Sequence, residues 1–243
     1  MNTQSEQVEF RFRILYTIVG RLRFLSHKEL MRVMVRAFRR ARLPLAYSKG
    51  FHPHPLISFG PPRPVGLAGT AELLDIRLIE HWTPERTAEA IESELPHGMA
   101  LKQVLPVALN AKAITATVAS ARYEFEWPHM SPAPQDAANS ILAKEEIPYR
   151  RKTGKGIRQV DLRPGIIDMS CEAPRIIMQL ALSPTMHVRP QEVLSEMTGW
   201  TDDTIRRIAI TRTGFTFMPI PAGSTLEKYA ERNNNRHGTE AGT

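Results

Sequence analysis

Tyr47, Lys49, Phe51, His52 and His54 crowd into nine residues, Tyr47-Ser48-Lys49-Gly50-Phe51-His52-Pro53-His54-Pro55. Two aromatic rings offer faces on which a base can stack, and the lysine can meet a phosphate. Imidazole titrates near neutral pH, which makes His54 a candidate general acid or base. Spaced two apart, His52 and His54 can also offer two ligands to a metal, but no third ligand stands nearby in the chain. Gly50 permits a turn that other residues resist, while Pro53 and Pro55 stiffen the segment after it. The bland alternative is a proline-rich connection whose histidines only bond the backbone. No catalytic residue is assigned beyond the candidate His54, and no metal site.

The residues upstream carry charge. Positions 11–63 hold twelve Lys and Arg (Arg11, Arg13, Arg21, Arg23, Lys28, Arg32, Arg36, Arg39, Arg40, Arg42, Lys49, Arg63) against the single acid Glu29. That stretch is +11 in a chain of +7, so the remainder is −4. Concentrated positive charge points to an anionic partner. Lys28, Arg32 and Arg36 stand four apart, Arg39 and Arg40 complete the line, and no acid on the same face is expected to relieve them. Each like-charged pair at this spacing costs about a few tenths of a kcal/mol. The row reads as a phosphate-tracking surface whose affinity falls with salt. The alternative is a solvated face satisfied by acids from the negative remainder. Arg21, Arg23 and Arg63 extend the patch, and His27 lies where a helix start attracts anions. A second basic run, Tyr149-Arg150-Arg151-Lys152-Thr153-Gly154-Lys155-Gly156-Ile157-Arg158, reads as a mobile loop closing over an anion through Lys152 and Lys155. It lacks the spacing of a nucleotide P-loop. Asp161 and Arg163, two apart on an extended segment, are expected to pair. Cys171 stands alone, which excludes internal disulfides and CxxC chemistry, and reads as a small buried hydrophobe.

These groups need a scaffold. Alternation of Phe10, Phe12, Ile14, Tyr16 and Ile18 predicts a half-buried strand over 9–19. Ser26 and Glu29 form a capping box that starts a helix running to about Arg42, with Leu30, Met31, Met34, Phe38 and Ala41 as its apolar stripe. Strand pieces come next at 45–47, 56–59 and 72–79. Thr83 and Pro84 start a second helix to about Leu95, and 99–105 is a strand. The order is that of a split βαβ unit. It repeats as a strand over 115–127, a helix over 135–144, strands at 166–172 and 175–183, a helix over 189–197 and a strand over 207–217. The expected class is α+β: two tandem ferredoxin-like units with antiparallel sheets, at 8–110 and 113–220, and a disordered polar tail at 221–243. No run approaches the roughly 20 apolar residues of a membrane helix, and the N-terminus has no signal-peptide layout. A cytoplasmic protein with no membrane partner is expected.

Three stretches together, GRLRFLSHKELMRVMVRAFRRARLPLAYSKGFHPHPLISFGPPRPVG, ELLDIRL and KTGKGIRQVDLRP, resemble the radical SAM-linked (radical SAM-associated) domain-of-unknown-function family of bacteria, over roughly residues 8–215. Positions that keep the pattern are Ser26, His27, Arg40, Tyr47, Gly50, Phe51, Pro53, His54, Pro55, Ser58, Phe59 and Gly60. Where asparagine and lysine are usual, this chain has His52 and Leu56. Members are encoded beside, or fused behind, a radical S-adenosylmethionine protein with a cobalamin-binding-like region. The chain has no CxxxCxxC motif, so the resemblance implies an accessory without its own cofactor. S-adenosylmethionine, an iron–sulfur cluster and cobalamin belong to the partner. Combined with the basic patch, this makes an RNA-binding accessory the leading expectation, with tRNA or rRNA as ligand. A protein-docking module without nucleic acid is the alternative, and an acid–base enzyme using His54 the third.

Overall fold

The computed structural model describes residues 9–128, 132–154, 156–172 and 174–218; Lys155 and the expected tail at 221–243 lie outside them. The fold is mixed α+β, mostly antiparallel and of ferredoxin-like type. It divides into two compact units, and among the described residues one holds 9–65, 71–117 and 217–218 and the other 66–70 and 118–216.

The first unit runs β1 (Phe10–Ile18), α1 (His27–Arg40), β2 (Ile57–Phe59), β3 (Ala68–Leu78), α2 (Pro84–Glu92), β4 (Met99–Val107) and the short α3 (Ile114–Thr117). Its strands stand in the order β4-β1-β3-β2, with β4 antiparallel to β1 and β2 antiparallel to β3. The even positions Phe12, Ile14, Tyr16 and Ile18 of β1 join Leu74, Ile76 and Leu78 of β3 in one core with Leu30, Met34 and Phe38 of α1 and Ile91 of α2. Each such side chain contributes about 1.5–3 kcal/mol through removal from water. Met31, expected in the apolar stripe of α1, is exposed at the edge of the buried arc.

The odd face of β1 is not solvated as a half-buried strand implies. Arg11 and Arg13 are buried there and clasp the buried Asp75 of β3. Arg13 Nε and Nη2 donate to Asp75 Oδ1 and Oδ2 at 2.8 and 3.0 Å, and Arg11 Nη2 donates to Oδ2 at 2.6 Å. Arg11 Nη1 also donates to the carbonyls of Ala111 at 2.6 Å and Leu109 at 3.3 Å. Backbone carbonyls and one carboxylate thus do what water does at an exposed arginine. These two cations belong to the fold, not to the basic surface.

The second unit runs β5 (Val118–Glu126), α4 (Pro134–Leu142), β6 (Pro148–Thr153), β7 (Gly156–Asp161), β8 (Ile166–Glu172), β9 (Arg175–Ala181), α5 (Pro190–Thr198), α6 (Asp202–Arg207) and β10 (Thr211–Phe217). Its strand order is β10-β5-β9-β8, with β9 antiparallel to both β5 and β8. The first residues of β3 also pair here, Ala68 and Gly69 running parallel to Thr211 and Arg212. Three expectations change. The basic run at 149–158 is no mobile loop but the hairpin β6-β7, in register from Pro148↔Asp161 to Thr153↔Gly156. Arg151 anchors that hairpin to α5, its Nε and Nη2 donating to Glu192 at 2.7 and 2.6 Å. Asp161 and Arg163 do not pair: Asp161 Oδ1 accepts from the amides of Ile147 and Arg163. The Arg163 guanidinium instead donates to the carbonyls of Lys144 and Leu142 at the end of α4. Cys171 is half-buried, on the edge strand β8.

Candidate functional site

Local chemistry fixes α1. Ser26 Oγ accepts from the Glu29 amide at 3.4 Å, and Glu29 Oε2 accepts from the Ser26 amide at 2.8 Å and hydroxyl at 2.6 Å. The Ser26 hydroxyl and then its amide hold the Glu29 carboxyl below the usual range, with a smaller effect of Arg32 in the same direction. The far end closes with two reversed bonds, Arg42 N to Arg39 O and Leu43 N to Phe38 O, both 3.1 Å. Arg42 takes the left-handed conformation between them, φ 52°, where glycine is usual.

Between these ends Lys28, Arg32, Arg36 and Arg39 are all exposed. At about 100° per residue they lie within roughly 80° of arc, and at about 1.5 Å per residue they span roughly 16 Å. None forms an ion pair among the described residues. Exposed Arg21 precedes them and exposed Arg42 comes after. The expectation that no acid relieves the row needs amending at two places. Glu29 lies one turn from Arg32, and Glu94 takes Arg40, accepting from its Nε at 2.7 Å while the Glu94 carbonyl accepts from Nη2 at 2.6 Å. Arg40 is therefore largely committed to the end of α2. Arg63 is buried, donating to the carbonyl of Arg23 at 2.7 Å, so it braces the turn before α1 and is not on the exposed face. Arg23 is half-buried, its guanidinium 4.8 Å from the Phe24 ring centroid.

The loop after α1 is a closed structure. Tyr47 pairs with Pro55; Ser48 N donates to His54 O at 2.8 Å, and Leu56 N to Ala46 O at 2.8 Å. Ser48 Oγ accepts from the His54 amide at 3.1 Å and meets His54 Nδ1 at 2.8 Å. Lys49, Phe51 and His52 are exposed beyond this stem, as are Tyr47 and His54 within it. The segment leads into β2, where the Phe59 ring meets His27 edge to face, centroids 5.5 Å apart. His27 thus packs the first turn of α1 onto the strand just after the loop. Lys152 is exposed on β6, in the other unit. No group of three His, Cys, Asp or Glu gathers among the described residues, and no described helix is long and apolar enough to cross a membrane.

Sequence reading misses Phe24, and it counts Arg42 in the basic stretch without placing it at the site. Phe24 is exposed next to Arg23, and its signal is a large apolar residue in a short basic turn, Gly20–Phe24. A groove of 1020 Å³ in the second unit, lined by Phe125, Trp127, Arg175 and Arg207, includes Glu124 and Glu126. Its cations share the groove with these carboxylates.

A solved structure similar to this chain is that of the acetolactate synthase small subunit from Thermotoga maritima, at 11% identity over 87% of this chain and 96% of that one, with a TM-score of 0.23. A comparison with curated proteins returned no match. A family model described as "Uncharacterized protein conserved in bacteria (DUF2344)" matches residues 11–191, which includes α1, the loop and most of both units. This chain belongs to that bacterial family.

Proposed function

We propose that this protein is an RNA-binding accessory, gripping structured RNA such as tRNA or rRNA through α1 and the 47–55 loop, and that it serves a radical SAM enzyme. One observation carries the RNA reading: Lys28, Arg32, Arg36 and Arg39 line one exposed helix face without ion pairs among the described residues, while Arg11, Arg13, Arg40 and Arg63 of the same stretch are all engaged. Four cations held on one exposed helix face, beside others that the fold engages, present a surface suited to phosphates. On this reading the two units are tandem ferredoxin-like modules in a cytoplasmic protein. Their strand orders, β4-β1-β3-β2 and β10-β5-β9-β8, support the duplication because each places the last strand beside the first. The radical SAM link rests on the sequence resemblance, and S-adenosylmethionine, the iron–sulfur cluster and cobalamin are assigned to the partner.

Crosslinking in cells, with sequencing of bound RNA and identification of bound protein from one purification, tests both halves. The wild-type chain should carry RNA, and Arg32→Glu/Arg36→Glu/Arg39→Glu should not. RNA recovery unchanged by that triple reversal refutes the RNA reading. Exposed Phe24 and Met31 favour a second reading, docking of α1 on a protein partner, since apolar residues among cations suit such an interface. Recovery of the radical SAM protein from nuclease-treated extract, lost in the same variant, would select it.

A further inference from the structure

We infer that the tip of the 47–55 loop reads an unpaired nucleotide, Phe51 stacking on an extruded base while Lys49 and His54 hold the flanking phosphates; this rests on the RNA-binding reading above. The Phe51 side chain is completely exposed. A ring in water at the end of a loop gains nothing from the fold, and its large apolar face is available to a flat partner. Gly50, at φ 124°, turns the chain immediately before it, a conformation other residues resist. Pro53 limits the chain after it.

The stem below is fixed, which keeps the ordering cost of binding low. Ser48 and His54 exchange three contacts: Ser48 N to His54 O at 2.8 Å, His54 N to Ser48 Oγ at 3.1 Å, and Ser48 Oγ to His54 Nδ1 at 2.8 Å. The contact between Ser48 Oγ and His54 Nδ1 ties down one ring nitrogen and leaves Nε2 for a phosphate oxygen. Exposed Lys49 supplies the charge on the other side of Phe51.

The ligand class is set by the ring. Stacked duplex bases offer no face to an aromatic side chain on a narrow loop, whereas splayed bases of hairpin loops, bulges and ends do. A single ring flanked by Lys49 and His52 is also a poor membrane anchor, because interfacial binding scales with buried apolar area. The chain would therefore combine two contacts: α1 along the backbone of a paired stem and Phe51 on a base beside it.

The test compares the full-length protein with Phe51→Ala and Phe51→Trp. The probes are an RNA hairpin carrying 2-aminopurine in its unpaired loop, and a fully paired RNA duplex of equal length. Phe51→Ala should weaken hairpin binding about 5- to 150-fold, the range for one base–aromatic stack, remove the change in 2-aminopurine fluorescence, and leave duplex binding unaltered. Phe51→Trp should keep hairpin binding and the fluorescence change. Equal hairpin binding by Phe51→Ala and wild type overturns the loop assignment while leaving the RNA reading intact; failure of the wild type on both RNAs overturns the reading itself. Loss of equal size on both probes also overturns the assignment. So does Phe51-dependent binding to vesicles of phosphatidylcholine and phosphatidylglycerol without an effect on RNA. Unchanged thermal unfolding of Phe51→Ala is expected, since the ring packs on nothing.

Discussion

Replacing Arg32, Arg36 and Arg39 together by glutamine removes three of the exposed cations of α1 without touching its buried face, whose Leu30, Met34 and Phe38 hold the helix on the sheet. The magnitude of the effect comes from counting phosphates. If Lys28, Arg32, Arg36, Arg39 and Lys49 each meet one phosphate, about five counterions are released on binding, and log K falls against log salt with a slope of about −3.5 for single strands to about −4.5 for duplex. Raising salt from about 50 to about 200 mM should then weaken wild-type binding by roughly 100- to 500-fold. The glutamine variant keeps two contacts, so its slope should fall to about −1.4 to −1.8 and its loss to roughly 10-fold over the same interval. The assay is fluorescence anisotropy of a labelled structured RNA at four or more salt concentrations. The slope is the informative quantity, because a damaged fold lowers affinity without changing the number of ions released by the surviving active fraction. A variant with a weaker Kd but the wild-type slope refutes the assignment of these three residues to phosphates. The same substitution should raise stability slightly, since it removes the like-charged pair Arg32–Arg36 from one helix face.

Asp75→Ala leaves Arg11 and Arg13 buried without their carboxylate; urea unfolding should show a loss of about 3–5 kcal/mol, and RNA binding by the folded fraction should keep its salt slope. Arg42→Gly relieves the left-handed conformation at the end of α1 and should raise stability by about 1 kcal/mol while lowering RNA affinity through loss of an exposed cation. Burial holds the His187 imidazole below its ordinary value, with Arg189 and then Arg151 acting in the same direction, so the unfolded chain takes up this proton first on acidification. Stability should decline as pH falls below about 6.5, and His187→Gln should shrink the difference between urea midpoints measured at about pH 7.5 and about pH 5.5.

Features that depend on neighbours in sequence are legible without coordinates. The capping box of α1 needs only Ser26 and Glu29, three apart, and the Thr83–Pro84 start of α2 is equally local. The order of elements in the first unit emerges from periodicity for the same reason. The fates of individual charges depend on partners far along the chain. Asp75 stands 64 and 62 residues from Arg11 and Arg13, Glu94 stands 54 from Arg40, and Glu192 stands 41 from Arg151. A sum over positions 11–63 therefore counts cations of three kinds as one surface. The hairpin β6-β7 escapes sequence reading because its strands are mostly exposed, leaving no apolar alternation, and its glycines and cations suggest a loop. The helix α6 escapes it although Thr201 caps it and Asp202 and Asp203 open it with acids, a start signal hidden by the strand pattern immediately after it.

The first unit accepts two local costs at one place. Lys28, Arg32, Arg36 and Arg39 line one face of a helix whose fifth cation, Arg40, has a carboxylate within reach. One residue past the C-cap, Arg42 occupies a backbone conformation that disfavours every side chain and that a glycine adopts freely. The two bonds that close α1, Arg42 N to Arg39 O and Leu43 N to Phe38 O, offset the second cost, whereas the charged row makes no ion pair among the described residues. Several other arginines of the chain sit on carboxylates or carbonyls, and Arg11, Arg13 and Arg63 are buried in doing so. Cations kept without ion pairs along one exposed edge are the pattern expected where a partner, not the fold, supplies the compensating interaction. The partner must then be anionic along about 16 Å, the run from Lys28 to Arg39. A nucleic-acid backbone meets that requirement with regularly spaced charge, whereas a protein surface must assemble several carboxylates at matching intervals. The salt slope separates these cases quantitatively, because condensed counterions are released from a polyelectrolyte and not from a folded acidic patch.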